Sequence, residues 1–212
     1  MYSGAIAATA FARLQPVRLV IRRVVLLGPS HRVYVRGLAV PSADVFETPL
    51  GGVEIDDELR DVALRRPGVT TDDAAHRDEH SLEVELPFLQ TALDRFSLLP
   101  LSVGDADAEE VAGVLDAVWG GPETLIVVST DLSHYHAYDD AVRLDDSTAR
   151  SIVAGDHRGI GDRDACGARP LRGLLLAATR RGLDIEQLDL RNSGDTAGDR
   201  QRVVGYGAFA VG

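Results

Sequence analysis

Short, nearly continuous apolar runs alternate along this chain with segments whose apolar positions recur every three or four residues. The runs "RRVVLLGPSH" (22–31), "FSLLPLSVG" (96–104), "ETLIVVSTDLSH" (123–134) and "VVGYGAFAV" (203–211) read as strands, with "LDIEQLDLR" (183–191) as a fifth. Strands apolar on both sides belong in a sheet covered on both faces. Between them lie helical patterns. "DAEEVAGVLDAVWG" puts Val111, Leu115 and Val118 on one face, with acids in its first turn and Gly120 at its end. "AYDDAVRLDDSTARSIVAG" is a longer helical region. "PLRGLLLAATRRG" begins with Pro170 and ends with Arg180, Arg181 and Gly182, the usual order of residues along a helix. "HSLEVELPFLQTAL" alternates like a strand at 82, 84 and 86 but repeats like a helix at 82, 86, 89 and 93. The helix is the preferred reading, although Pro87 would remove a hydrogen bond from its interior. "MYSGAIAATAFARL" reads as a small-residue helix. Strand–helix alternation predicts one α/β domain, a three-layer α/β/α sandwich, with ligands at the carboxyl ends of its strands.

Composition narrows the function classes. The 212 residues are 45% hydrophobic and 26% charged, enough for one domain with a sizeable core. The net charge of −11 argues against a general nucleic-acid binder. All 22 basic residues are Arg, which removes lysine Schiff-base and P-loop chemistry. No apolar run approaches the ~18 residues a membrane span needs. One cysteine cannot close an internal disulfide, so a cytoplasmic location is expected.

That cysteine, Cys166, precedes the helix begun by Pro170, where free N–H groups and the positive helix end would favour a thiolate. His31 and His134 each follow a strand, and Asp131 lies three residues before His134. His80 opens the element after an acidic loop, with Glu83 one helical turn on as its orienting group or a general base. His76, His136 and His157 sit among Asp and Arg and read as surface residues, with His136 kept as a pocket wall. Each feature has a plainer reading: a core thiol, a solvated acidic face, a loop's own capping bonds. Two histidines at separate strand ends plus this cysteine could form a His2Cys metal site, although no local spacing motif marks one.

In order, "LLGPSHRVYVRGLAVPSADVFETPLGGVEID", "DEHSLEVELPFL", "LPLSVG", "VVSTDLSHY", "ACGARPLRGLLLA" and "GYGAFA" closely resemble the Memo family, known in prokaryotes as AmmeMemoRadiSam system protein B. The resemblance spans nearly the whole chain. It implies a single Memo-like domain over 1–212, with a fold similar to class III extradiol (LigB-type) dioxygenases. It also implies a metal site of His31, His80 and Cys166 for iron or copper, with zinc as a further candidate. Asp131 and His134 would line the same pocket, and with Glu83 form the catalytic candidates.

Three departures stand out. Cys166-Gly167-Ala168-Arg169-Pro170 lacks the extra histidine of eukaryotic members, and Arg32 replaces a second histidine after GPSH. Family members also carry an upstream strand ending in P-H-A-G-Y, where this chain starts. A gap or free sheet edge is therefore expected beside the strand ending at His31. The function implied is a metal-dependent oxidoreductase acting on an unidentified small molecule or peptide. A radical SAM protein and an AMMECR1-type protein would act in the same pathway. The alternatives are a non-catalytic adaptor that holds a peptide in the same pocket, with Arg32 or Arg169 pairing an anionic group, and a zinc hydrolase.

Overall fold

A computed structural model describes residues 2–212. Its strands are β1 (Arg23–Pro29), β2 (Leu38–Val40), β3 (Val45–Thr48), β4 (Gly51–Glu54), β5 (Val69–Thr71), β6 (Ser97–Val103), β7 (Thr124–Val128), β8 (His134–His136), β9 (Ile185–Asn192) and β10 (Val203–Val211). Its α-helices are α1 (Gly4–Ala12), α2 (Asp57–Leu64), α3 (Ala74–Arg77), α4 (Leu86–Ala92), α5 (Ala108–Val118), α6 (Tyr138–Val153), α7 (Ala168–Arg180) and α8 (Ser193–Thr196).

The central sheet runs β5-β2-β6-β1-β7. β1 is parallel to β6 and β7, and β2 is antiparallel to β6. The two middle strands carry the most continuous apolar runs and are almost wholly buried. They show no polar–apolar alternation because both faces are covered: Val25, Leu27, Leu99 and Leu101 pack under α2, α5 and α7, while Val24, Leu26 and Leu98 pack under α1 and α4. Pro100 sits in the middle of β6 without breaking it. Ser97 N donates to Arg22 O and Ser30 N donates to Val103 O, so odd-numbered residues of β6 face β1 and Pro100 faces the other way. On that side Ile55 bridges Leu98 and pairing with β2 begins only at Ser102, so no donor is needed at residue 100.

The result is a mixed α/β fold with a central, mostly parallel sheet flanked by helices. Three expectations need correction. First, 183–191 and 203–211 do not join the central sheet; β8, β10 and β9 form a separate antiparallel sheet. Long apolar runs look the same in either sheet, so periodicity could not separate them. Second, the expected gap beside the strand ending at His31 is not there. β1 is paired on both sides, and the free edge belongs to β7. Third, the short β2, β5 and the β3–β4 hairpin in 38–71 carry too few apolar positions to have been read as strands.

The ambiguous segment is helical. Residues 83–85 form a 3-10 turn that leads into α4, and Pro87 lies in the helix's first turn, where its missing N–H costs nothing. Leu82, Leu86, Leu89 and Leu93 are all buried, whereas Val84 is exposed.

Candidate metal centre

The carboxyl ends of β1 and β7 meet the segment before α4 and the segment before α7. Each contributes a short polar piece. Pro29 turns the chain out of β1, and Glu79 captures the residues beyond it: His31 N donates to Glu79 Oε2 at 2.5 Å. The other oxygen of Glu79 lies 3.0 Å from His31 Nδ1 and accepts from His80 N at 2.9 Å and Ser81 N at 3.0 Å. His80 Nδ1 is 3.4 Å away from that oxygen. A single carboxylate, buried to 1% exposure, thus fixes both histidine-bearing segments. With both Nδ1 atoms turned towards Glu79, the Nε2 edges are the ones left to receive an ion. The two rings stack with centroids 5.3 Å apart.

Close packing explains the glycines of both motifs. A Cβ on Gly28 would lie 2.7 Å from Ser81 Oγ and 2.9 Å from Leu82 Cδ2, so the His80–Leu82 segment can lie directly on the end of β1. Ser81 Oγ donates to Pro29 O there. A Cβ on Gly167 would lie 2.7 Å from both Ser129 O and Thr130 Cβ. That approach brings Cys166 to the end of β7. Cys166 N donates to Asp131 O at 3.1 Å and Asp131 N donates to Cys166 Sγ at 3.2 Å, a reciprocal pair that locks the thiol in place. The donor that reaches the sulfur is therefore Asp131, not the start of α7, whose preceding Gly167 N–H donates to Thr130 Oγ1.

Charge follows this geometry. Contact with Cys166, and then with Glu79, raises His31 to about 9 in the ion-free protein, against burial. Burial works against ionisation of Glu79, yet its hydrogen bonds from the His31 side chain and from His31 and Ser81 N hold it at about 2. Burial raises Asp131, opposed by His134, His31 and His80.

Two groups of ligand-type atoms fall within 4.8 Å of one another: His31, Glu79 and His80, and Asp131, His134 and Cys166. His31 and His80 fall in the first group and Cys166 in the second, with Asp131 and His134, so the three expected ligands form no single cluster. Of the expected residues, His31, His80, Asp131 and Cys166 line one cavity. Glu83 does not. The 80–85 segment is not α-helical, Glu83 is exposed, and among the described residues it makes no hydrogen bond to His80. The orienting carboxylate is Glu79, its neighbour in the same motif. Half-buried Glu85, hydrogen-bonded by Ser129 Oγ at 2.9 Å and pushed up by desolvation, is the further acid in the cavity wall. Arg169 is already paired with Asp105 at 2.6 Å and Asp162 at 3.6 Å, so it is committed elsewhere. His76 is not a surface residue: its Nε2 lies 3.1 Å from Ala39 O and its Nδ1 is buried.

A family model for Memo-like proteins matches residues 1–210. The chain belongs to the Memo-like family. It is 36% identical over 224 residues to a MEMO1 family protein of Methanosarcina mazei, covering 100% of this chain and 82% of that one. It is 35% identical over 221 residues to a MEMO1 family protein of Aquifex aeolicus, covering 97% and 80%. The crystal structure of an uncharacterized protein from Escherichia coli K12 shares the fold, with a TM-score of 0.52 at 16% identity and coverage of 93% and 92%. Among the described residues, no helix is long and apolar enough to cross a membrane.

Proposed function

We propose that this Memo-like protein is a metal-dependent oxidoreductase in which His31, His80 and Cys166 hold one ion. The observation that carries the reading is the Glu79 carboxylate, which fixes two stacked histidines in the cavity that Cys166 also lines. Two imidazoles and a thiolate suit iron, copper or zinc rather than magnesium or calcium. Iron or copper bound there would supply one-electron redox chemistry. The protein's own contribution is positional and protonic. Asp131 N donates to Cys166 Sγ, and the Asp131 carboxylate stands 3.8 Å from His134 Nε2. Asp131 lines the cavity, and the pair would exchange a proton there with a small-molecule or peptide substrate.

The zinc-hydrolase alternative loses Glu83 as a base, because Glu83 is exposed and makes no bond to His80 among the described residues, and keeps His134 as its base. In our reading the domain spans 1–212, shares the layered fold of class III extradiol (LigB-type) dioxygenases, acts in the cytoplasm, and serves a pathway shared with a radical SAM protein and an AMMECR1-type protein.

The test is anaerobic loading of the chelator-stripped protein with Fe(II), Cu(I) or Zn(II), followed by ascorbate-driven oxygen uptake. Uptake above that of the free ion with iron or copper, lost in Cys166→Ala, is expected. Tight binding of zinc alone, with no redox turnover from iron or copper, would contradict an oxidoreductase.

A further inference from the structure

A second cavity, of about 340 Å³, lies on the other side of the 79–86 segment, and all of its walls come from residues 41–86. That segment is the partition between the two cavities. Glu79, Leu82, Glu83 and Leu86 line the second one, whereas His80, Ser81, Val84 and Glu85 line the one that Cys166 also lines. Glu83 and His76, neither of which takes part in the metal centre, are both in the wall of the second cavity.

The floor of this cavity is apolar and its rim is charged. Pro41, Leu82 and Leu86 are buried, and half-buried Phe46 stands edge-on to His76 with ring centroids 6.0 Å apart. His76 Nε2 lies 3.1 Å from Ala39 O and donates to it, which leaves Nδ1 as an acceptor. That Nδ1 is buried and has no hydrogen-bond partner among the described residues. Desolvation pushes the His76 imidazole down, so it is neutral at neutral pH and adds no positive charge. At the rim, three exposed carboxylates, Glu47, Asp73 and Glu83, stand against one exposed guanidinium, Arg77. Ser42 Oγ and Ser42 N both donate to Asp73 at 2.7 Å and hold it below the usual carboxylate range. The side chains of Glu47 and Glu83 make no hydrogen bond or ion pair among the described residues. A cleft whose rim is mostly of one sign attracts the opposite charge.

We infer that this second cavity binds a small organic cation, a primary ammonium carried on an apolar or aromatic body. The body gains by covering Phe46, Leu82 and Leu86, which a hydrated inorganic cation cannot do. The ammonium answers the negative rim, and its N–H donors suit the free oxygens of Glu47 and Glu83 and the unpaired acceptor of His76. A volume of about 340 Å³ is enough for a small-molecule ligand of this kind. None of His31, His80 and Cys166 lines this cavity, so the inference goes beyond the metal centre and does not rest on an ion being held there.

The probe is 2-phenylethylammonium, titrated at low salt into the chelator-treated full chain while backbone amide shifts are followed by NMR. Saturable one-to-one shifts are expected at residues 45–47, 76–77 and 82–83. 2-Phenylethanol keeps the body without the charge and should bind at least about fivefold more weakly. The N,N,N-trimethyl analogue keeps the charge without the donors and should weaken by a similar factor. The double variant Glu47→Gln with Glu83→Gln, checked for folding by circular dichroism, should lower affinity for the ammonium at least about fivefold and leave that for the alcohol unchanged. With chelator present, the outcome is read independently of the metal centre. Absence of saturable shifts, equal binding of the alcohol or the trimethyl analogue, or undiminished binding by the double variant would overturn the proposal. So would 3-phenylpropionate binding as tightly as the ammonium, or shifts confined to residues 129–131 and 166.

Discussion

At the scale of single residues, Glu79 and Cys166 carry the site in different ways. Glu79 is not among the three proposed ligands; it positions His31, His80 and Ser81 through four contacts of 2.5–3.0 Å. Glu79→Gln should weaken metal binding by about 10–100-fold, the usual cost of losing an orienting partner. Glu79→Ala leaves three backbone donors unpaired and should cost about 2–4 kcal/mol in chemical denaturation. The pH dependence of the ion-free protein has a defined sign. His31 is raised from 6.5 to about 9, so its contribution is complete below 6.5 and is lost as pH rises through 9. Glu79 is lowered from 4.5 to about 2, so its contribution is present above 4.5 and is lost as pH falls towards 2. Melting temperature of chelator-treated protein should therefore plateau between 4.5 and 6.5 and fall on either side, and Glu79→Gln should flatten the alkaline limb. Cys166→Ser keeps a partner for Asp131 N but replaces a soft thiolate, so affinity for Cu(I) should drop by at least about a hundredfold while stability changes little.

At the scale of elements, the site depends on how closely loops approach strand ends. Gly167→Ala would push α7 away from Ser129 and Thr130 and displace Cys166 from Asp131. The expected result is about 1–3 kcal/mol lost in denaturant unfolding and a parallel loss of metal, even though no ligand changes. Unchanged metal content would show that the approach of α7 does not set the thiol. The same elements show what periodicity can and cannot reveal. The runs at β1, β6 and β7 and the amphipathic pattern of α5 were legible, because long apolar repeats leave a strong signal. β2 and β5 were not, since three residues hold no period, and their place in the sheet is set by pairing alone. His31, His80 and Cys166 were legible as motif residues. The choice of Glu79 over Glu83 was not, because it turns on whether 80–85 is α-helical, and Pro87 starts the α-helix only afterwards.

At the scale of the whole molecule, two sheets share helices but not hydrogen bonds. The central sheet places His31 and the Asp131 segment at its carboxyl edge, and the antiparallel sheet closes the same cavity with β10. This division between sheets could not be read from "VVGYGAFAV", an apolar run that fits either one. Our proposal stands or falls on one ion held in this cavity by His31, His80 and Cys166. It is tested most directly by metal analysis of the purified full chain beside His31→Ala, His80→Ala and Cys166→Ala, each checked for folding by circular dichroism. About one equivalent of iron or copper is expected in the parent protein after loading, and loss of it in each folded variant. Folded variants that retain the parent's full metal content, or a parent protein that binds no iron, copper or zinc at all, would contradict it.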